Sequence, residues 1–204
     1  MEREQLLESL RRRRVAPAVV EAVAAVPREA FVPLGLRDRA WEDGALPIGA
    51  GQTISQPSLV AHMVDLLDLR PGDRVLDVGT GSGYHAAVIA HVAAHVWSIE
   101  RHATLSAAAA DALAAAGVQN VTLRVGDGTA GWPEEAPFDA VNVAATGEDG
   151  VPRALVEQLA DGGRLVAPVR ARGEERLVRL VRRGRRFERS QHGAVRFVPL
   201  VADG

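Results

Sequence analysis

The chain has 204 residues and a formal net charge of −2 at pH 7, with 47% hydrophobic and 25% charged residues. This composition is that of an ordinary globular domain, so a disordered or fibrous chain is excluded, and the near-neutral charge gives no general attraction to nucleic acid or anionic membranes. The sequence contains no cysteine, which excludes a disulfide framework, thiolate metal sites and a cysteine nucleophile.

The first third of the chain alternates helical patterns with a long polar loop. Leucines spaced three and four residues apart, and prolines of the kind found in first helical turns, mark three predicted helices. These helices cover residues 2–14, 17–26 and about 57–69. Residues 27–54 are rich in proline, glycine and aspartate, which predicts a lid or binding loop. We therefore expect residues 1–70 to form an N-terminal helical cap that carries a substrate loop.

From residue 72 onward, short β-branched runs alternate with helical patterns. The predicted strands of this part are residues 74–78, 96–99, 121–125, 138–143 and 164–168. Three helices are predicted in this part. The first begins after the glycines of 79–83, and the other two cover about 102–116 and 151–160. Strands that alternate with helices indicate a parallel sheet covered on both faces.

The last part of the chain changes pattern. Residues 175–181 and 195–201 are strand candidates with no helix between them, which predicts a closing antiparallel hairpin. The predicted fold class is α/β: a Rossmann-like, mostly parallel seven-stranded sheet with an antiparallel C-terminal hairpin and the helical cap.

No segment of the sequence has targeting or membrane character. The N-terminus is charged and amphipathic, without an apolar stretch of the signal-peptide kind behind it. No run of residues approaches the length of about 18 apolar residues that a membrane-spanning helix needs. We expect one domain over residues 1–204, a cytoplasmic location, a monomer, and no membrane partner.

The motif DVGTGSGY at residues 77–84 follows a predicted strand and opens a helix. Its glycines allow a tight turn and bring a ligand close to main-chain N–H groups at the helix N-terminus. Glu100 ends the next strand about 20 residues later, where an acid accepts hydrogen bonds from both ribose hydroxyls. Asp127 and Gly128 follow the third strand. Ligands bind outside the carboxyl ends of parallel strands, so these features predict one nucleotide-type site in preference to a plain glycine turn with solvated acids.

The order of residues in this motif indicates which nucleotide is bound. Asp77 stands two residues before the first glycine, where it would repel a phosphate and suit a cationic amino-acid group. S-adenosylmethionine (AdoMet) carries an ammonium group and no phosphate, so the order is typical of class I methyltransferases. The predicted cofactor-binding residues are Asp77, Gly79, Thr80, Gly81, Ser82, Glu100, Asp127 and Gly128.

A second motif, GQTISQP at residues 51–57, places small hydrogen-bonding side chains on a glycine-rich loop before a helix. On spacing alone, Ser55 or Gln56 is expected to do no more than cap that helix.

Together these segments resemble the protein-L-isoaspartate (D-aspartate) O-methyltransferases over nearly the whole chain. The resemblance is carried by FVP at 31–33, LPIG at 46–49, GQTISQP at 51–57, DVGTGSGY at 77–84, SIE at 98–100, GDG at 126–128, GWP at 131–133 and FVPL at 197–200. GQTISQP is the most specific of these segments, since the glycine loop alone indicates only a methyltransferase.

The resemblance implies AdoMet-dependent methylation of the free α-carboxylate of L-isoaspartyl residues in damaged proteins and peptides, which starts their repair through a succinimide. It implies an active-site role for Ser55, and Thr53, Ile54, Gln56 and Pro57 are expected to bind the substrate. A carboxylate is ionised at neutral pH and needs no general base. We therefore expect Ser55 to position the substrate carboxylate and not to act as a nucleophile.

Three features depart from the family pattern and bear on substrate range. Ser58 stands where an aromatic residue is usual, Asn142 and an apparent one-residue insertion lie in residues 142–150, and Glu175 stands where glutamine is frequent. The departures at Ser58 and at residues 142–150 leave open a cofactor-binding protein with little turnover.

A nucleic-acid or other small-acceptor methyltransferase is the second open alternative. Residues 170–189 contain nine arginines against three glutamates, and basic patches can follow phosphates. However, the N/D-P-P-Y/F-like motif of amino-methylating enzymes is missing after the fourth strand of the parallel part, so we expect no nucleic-acid partner. His91 and His95 have the spacing of two metal ligands on one helix face but lack an evident third ligand, so we also expect no metal.

Overall fold

The computed structural model describes residues 3–148, 150–171 and 173–202. Three helices and a small hairpin form its N-terminal part: α1 (Arg3–Arg12), α2 (Pro17–Ala25), the strands β1 (Leu46–Gly49) and β2 (Gln52–Ile54), and α3 (Pro57–Leu67). Two 3-10 turns, Arg28–Phe31 and Leu34–Arg39, occupy much of the remaining connection. The segment predicted as one long loop over 27–54 is therefore ordered by short turns and an antiparallel β1–β2 pair.

Within the described residues, seven strands form the central sheet. They are β3 (Arg74–Val78), β4 (His95–Glu100), β5 (Val121–Val125), β6 (Phe138–Val143), β7 (Leu159–Ala171), β8 (Glu174–Arg183) and β9 (Arg186–Ala194), in the order β5-β4-β3-β6-β7-β8-β9. The pairs from β5 to β7 are parallel, and the pairs β7–β8 and β8–β9 are antiparallel. The connecting helices are α4 (Tyr84–Val92), α5 (Ala103–Ala115) and α6 (Arg153–Glu157). The predicted α/β fold class is confirmed.

The central strands are buried on both faces. Val75 of β3 belongs to an apolar cluster with the N-terminal helices, which includes Val23 of α2 and Val64 of α3. The next residue, Leu76, packs on the opposite face with Leu155 of α6. Burial on both faces is typical of parallel strands covered by helices. The helical cap is thus one layer of the fold. Among the described residues no helix has the length and apolarity needed to cross a membrane.

Three elements predicted in the C-terminal part have the wrong limits. The second strand of the hairpin is β9 at Arg186–Ala194, not residues 195–201. β9 is a largely exposed edge strand of polar residues, so it lacks the alternation that marks a half-buried strand. The predicted helix 151–160 is also shorter, because β7 begins at Leu159, before the predicted 164–168.

A buried arginine ties the end of α3 to the sheet. The Arg164 guanidinium on β7 donates to the carbonyl oxygens of Leu67 at 2.8 Å, Asp68 at 2.7 Å and Asp139 at 2.9 Å. It also donates to Oδ2 of Asp73 at 2.5 Å, and both side chains are 9% exposed. The Arg164 guanidinium therefore supplies hydrogen bonds to the carbonyl oxygens at the end of α3 and also pairs with the buried Asp73 carboxylate.

We expect Arg164→Met to lower the free energy of unfolding by about 3 kcal/mol or more, because it leaves the buried Asp73 carboxylate without its cation. Urea denaturation measures this loss. The control is Arg153→Met, since Arg153 pairs with Glu157 while 89% exposed, and the expected change is below about 0.5 kcal/mol. Equal losses in the two variants would contradict the role assigned to Arg164.

Candidate functional site

A pocket of about 310 Å³ opens at the carboxyl ends of the parallel strands. Strand order reverses between β3 and β6, and such a reversal is where open α/β sheets bind ligands. The wall combines β2 and Ser55, the glycine loop after β3, the end of β4, and the C-terminal residues from Val198 to Val201. Its volume lies at the lower end of the range of about 300–1,000 Å³ seen for small-molecule sites.

The glycine loop folds back on the end of β4. Gly79, Gly81 and Gly83 have φ angles of 92°, 54° and 87°, in the left-handed region that favours glycine. The Gly79 N–H donates to the Ile99 carbonyl oxygen at 2.9 Å, and the Gly81 N–H donates to Oε2 of Glu100 at 2.8 Å. In a dinucleotide site a main-chain N–H of the glycine loop donates to phosphate. Here the Gly81 N–H donates to the Glu100 carboxylate instead.

Glu100 is placed as the sequence predicts, in the pocket wall at the end of β4. It is 5% exposed, and its Oε1 accepts a hydrogen bond from the His102 N–H at 2.9 Å. An ionised carboxylate offers about four acceptor positions, and Gly81 and His102 use two of them. The fixed carboxylate therefore retains capacity for two hydroxyl donors.

The structure does not bring Asp77 to the pocket wall. Its side chain is fully buried, Oδ2 accepts from Ser98 Oγ at 2.7 Å, and Oδ1 accepts from Asn142 Nδ2 at 2.7 Å. Burial raises the pKa of Asp77, and these two hydrogen bonds oppose that rise. The predicted direct contact with a cationic ligand group is not supported by this position, because strand alternation turns the carboxylate into the layer between sheet and helices.

The two predicted residues of the loop after β5, Asp127 and Gly128, have different environments. Gly128 lines the pocket, whereas Asp127 accepts from the N–H and the hydroxyl of Thr129, both at 2.7 Å. A Cβ on Gly128 would lie 2.5 Å from Cγ1 of Val78, closer than two carbon atoms approach. Asp127 thus holds the turn that lets Gly128 pass close to β3.

Of the predicted substrate residues, Thr53, Ile54 and Ser55 line the pocket, and Gln56 and Pro57 begin α3 beside it. Ser55 is held from behind by Arg28, a guanidinium with 0% exposure whose Nη2 donates to the Ser55 carbonyl oxygen at 2.7 Å. Burial lowers the pKa of Arg28 to about 10, so the group stays cationic at neutral pH. A buried positive charge therefore stands directly behind the Ser55 peptide.

The expectation that Ser55 or Gln56 caps α3 is wrong. Gln56 occupies the N-cap position without a side-chain cap hydrogen bond. Asp43, from the preceding loop, supplies the cap by accepting from the Ser58 N–H at 3.1 Å and from Ser58 Oγ at 2.8 Å. Ser58, one of the departures from the family pattern, is therefore buried and fully engaged in this cap, which leaves Ser55 to the pocket.

The C-terminal segment, predicted as a strand, forms a wall of the pocket. Thr146 joins it in a short parallel bridge, with its N–H donating to the Val198 carbonyl oxygen at 2.8 Å. Glu175 anchors the same segment: its Oε2 accepts from the Phe197 N–H at 3.0 Å and from Thr146 Oγ1 at 3.1 Å. Its other oxygen accepts from Arg170 at 2.6 Å. The departure at position 175 thus supports the pocket wall.

Sequence reasoning also missed the ring pair at the start of α4. Tyr84 and His85 both line the pocket. Burial raises the pKa of Tyr84 to about 12 and lowers that of His85 to about 3, so both are neutral at physiological pH. Two polar rings in the first turn of a mostly apolar helix were the available signal. Among the described residues, no group of three or more histidine and acidic side chains is placed to hold a metal ion.

The sheet order, the glycine loop and the acid that ends β4 define a class I AdoMet-dependent methyltransferase. The chain belongs to the protein-L-isoaspartate(D-aspartate) O-methyltransferase family, whose family model matches residues 1–204.

Individual relatives agree with this family. A protein-L-isoaspartate O-methyltransferase of Methylorubrum extorquens is 58% identical over 185 residues, which cover 90% of this chain and 80% of the relative. A protein of the same name from Methanoculleus marisnigri is 48% identical over 202 residues, 98% of this chain and 91% of the relative.

Solved structures give the same result. One named protein-L-isoaspartate O-methyltransferase superposes with a TM-score of 0.88 at 30% identity, covering all of this chain and 66% of its own. A Plasmodium falciparum structure described with the same activity contains S-adenosyl-L-homocysteine, with a TM-score of 0.84 at 24% identity over 100% of both chains. At that identity it shows a shared fold.

We expect Gly128→Ala to weaken binding of S-adenosylhomocysteine at least tenfold, because the added Cβ would displace the pocket loop from Val78. Gly126→Ala in the same loop is the matched control, since its Cβ would lie 3.8 Å from the Arg124 side chain, an ordinary contact. Calorimetric titration measures both affinities. A Gly128→Ala protein that binds within twofold of the control would show that the close approach is not needed.

The thermal stability of the protein is expected to depend on pH through Glu175. The hydrogen bond from Arg170 is the largest cause that holds its pKa below the ordinary value of 4.5. The stabilisation by this carboxylate is therefore complete above that value and is lost as pH falls through the lower, folded-state pKa. We expect Glu175→Gln to flatten the decline of the melting temperature below about pH 4.5. Glu188→Gln, in an exposed ion pair, is the control, and a decline unchanged in Glu175→Gln would contradict the assignment.

Proposed function

We propose that this enzyme methylates the free α-carboxylate of L-isoaspartyl residues in damaged proteins and peptides, as a one-domain monomer. The observation that carries the proposal is that Glu100, the glycine loop and Ser55 line the same pocket, with the buried Arg28 cation donating to the Ser55 carbonyl oxygen. The first group suits a nucleoside, and the second suits an anionic acceptor. The amide nitrogen that follows the isoaspartyl residue then attacks the ester carbonyl and expels methanol, which gives a succinimide. Hydrolysis of the succinimide restores some normal aspartyl linkages.

The residues of the glycine loop fit AdoMet, which when bound supplies an electrophilic methyl group on a cationic sulfur. We assign the ribose hydroxyls to Glu100 and the approach of the cofactor backbone to Gly79 and Gly81. A Cβ on Gly81 would lie 3.4 Å from Cδ1 of Ile48 and would narrow the space for a ligand. Thr80, Ser82 and Gly128 complete this part of the wall.

In this proposal Asp77 and Asp127 do not contact the cofactor, but hold the main chain of the pocket wall in place. Thr80 Oγ1 lies 2.6 Å from Ser98 Oγ, which in turn donates to Asp77. Asp77 therefore holds the glycine loop through Ser98, while Asp127 holds Gly128 through its own turn. Both predicted residues serve the cofactor by fixing main chain.

The Ser55 side of the pocket has to position a nucleophile that is already ionised. The Ser55 hydroxyl and nearby main-chain N–H groups donate to the substrate carboxylate, and the Arg28 cation behind Ser55 favours an anion there. Alignment of the carboxylate with the methyl group and removal of water then provide most of the rate. Thr53 and Ile54 border this place, and Gln56 and Pro57 fix the end of the loop at α3.

The contacts of the arginine-rich hairpin weaken the nucleic-acid alternative. Arg170 pairs with Glu148 and Glu175, Arg176 pairs with Glu174, and Arg183 pairs with Glu188. Arg179 and Arg182 donate to main-chain carbonyl oxygens. Much of the positive charge that motivated the nucleic-acid alternative is thus used within the protein.

The test is methyl transfer from labelled AdoMet to a short isoaspartyl peptide and to its normal aspartyl twin. We expect base-labile label on the isoaspartyl peptide alone. Label on neither peptide, with cofactor binding intact by calorimetry, would overturn the proposal and direct the search to RNA or to a role without turnover.

For Ser55→Ala we expect kcat/KM for the isoaspartyl peptide to fall about tenfold or more, because a hydrogen bond to a charged acceptor is lost. Affinity for S-adenosylhomocysteine is expected to stay within twofold. Ser190→Ala, on the exposed edge strand, is the matched control. Full kcat and KM in Ser55→Ala would remove the positioning role.

A further inference from the structure

His85 carries a buried polar atom with no partner. The side chain is 7% exposed and lines the pocket. Among the described residues, its Nε2 has no hydrogen-bond partner. Buried polar side-chain atoms are satisfied in the great majority of cases, and leaving one unsatisfied destabilises the protein. An acceptor or donor that belongs to a ligand is therefore the natural partner of Nε2.

The hydrogen-bond partners of Nδ1, the other ring nitrogen, determine whether Nε2 needs a donor or an acceptor. Asn142 Nδ2 lies 2.7 Å from Oδ1 of Asp77 and 3.3 Å from Nδ1 of His85. Asp77 already receives the Ser98 hydroxyl on its other oxygen, so the carboxylate acts as an acceptor and turns the amide nitrogen of Asn142 toward itself. The second hydrogen on that nitrogen then points to Nδ1, which must accept it.

A neutral imidazole that accepts at Nδ1 carries its proton at Nε2. Burial keeps the ring neutral by lowering the pKa of His85 to about 3, so the ring holds one proton. The row of contacts from Ser98 through Asp77 and Asn142 thus fixes the tautomer of His85. Strand pairing supports this row, since Asp77 is in register with Ser98 on β4 and with Asn142 on β6.

We propose that His85, fixed as the Nε2–H tautomer by Asn142, is a binding residue that donates a hydrogen bond to a carboxylate in the pocket. The identity of the acceptor rests on the proposed function, under which the pocket receives two carboxylates. One belongs to the amino-acid part of the cofactor and the other to the isoaspartyl residue. A neutral donor serves this role without the desolvation penalty of a buried cation.

The tautomer is tested directly by 15N NMR of histidine-labelled enzyme, with His85 assigned from the signals lost in His85→Gln. We expect Nε2 protonated and Nδ1 unprotonated at neutral pH, and a shift of the Nε2 signal on addition of S-adenosylhomocysteine or of isoaspartyl peptide. A proton on Nδ1 overturns the proposal, and so does an Nε2 signal that neither ligand moves.

Two substitutions separate the hydrogen bond from the shape of the side chain. His85→Leu removes the donor, and His85→Gln keeps an N–H donor. We expect His85→Leu to raise one dissociation or Michaelis constant about tenfold or more, as loss of a hydrogen bond to a charged group predicts. His85→Gln is expected to stay within about threefold of the original enzyme. Equal effects of the two variants, or no effect of His85→Leu, overturn the proposal.

Two binding measurements identify the carboxylate. A weaker calorimetric affinity of His85→Leu for S-adenosylhomocysteine assigns the hydrogen bond to the cofactor, whereas a raised KM for the peptide with unchanged cofactor affinity assigns it to the substrate. Asn142→Val removes the amide that fixes the tautomer. We expect this variant to raise the same dissociation or Michaelis constant as His85→Leu, by a smaller factor. An unchanged constant in Asn142→Val overturns the role given to Asn142.

The NMR and calorimetric measurements need no methyl transfer. Failure of the proposed function, seen as an unlabelled isoaspartyl peptide, is therefore distinguishable from failure of the His85 assignment. If His85→Leu does not fold, the NMR measurement on the original enzyme and the Asn142→Val variant still decide the question.

Discussion

A buried carboxylate joins the three strands whose ends make the pocket. Asp77 on β3 accepts hydrogen bonds from Ser98 on β4 and Asn142 on β6, at the point where strand order reverses. In a low-dielectric interior a carboxylate persists only with such donors. The same hydrogen bonds orient Thr80 in the glycine loop and His85 at the start of α4. One buried side chain in the sheet thus orients groups on both sides of the pocket.

Much of the fold follows from local pattern, and the exceptions have physical causes. The strands at 74–78, 121–125 and 138–143 have the predicted limits, because buried parallel strands are marked by short β-branched runs between turns. Residues 195–201 carry a similar run but form no strand: the Phe197 N–H donates to the Glu175 side chain, Thr146 makes only a short bridge with the segment, and residues 198–201 line the pocket. Pairing of that kind depends on residues distant in sequence and leaves no periodic signal.

The site was predictable where its chemistry lies in the main chain. Glycine spacing and the acid at Glu100 predicted two parts of the pocket wall, because tight turns and strand ends are local features. Arg28 and His85 were not predictable, since a lone arginine in a proline-flanked turn and a histidine in an apolar helix acquire meaning only from what they face. Asp77 shows the converse: its position in the motif was informative, while its contacts follow from the two adjacent strands.

The C-terminal wall of the pocket has a consequence for the order of folding. The wall that contains the glycine loop and Glu100 comes from residues 78–128, which are close in sequence, whereas another part of the wall joins Ser55 to residues 198–201. Closing so long a loop is slower than forming local contacts. We therefore expect a folding chain to complete the pocket wall around Glu100 before the wall formed by residues 198–201.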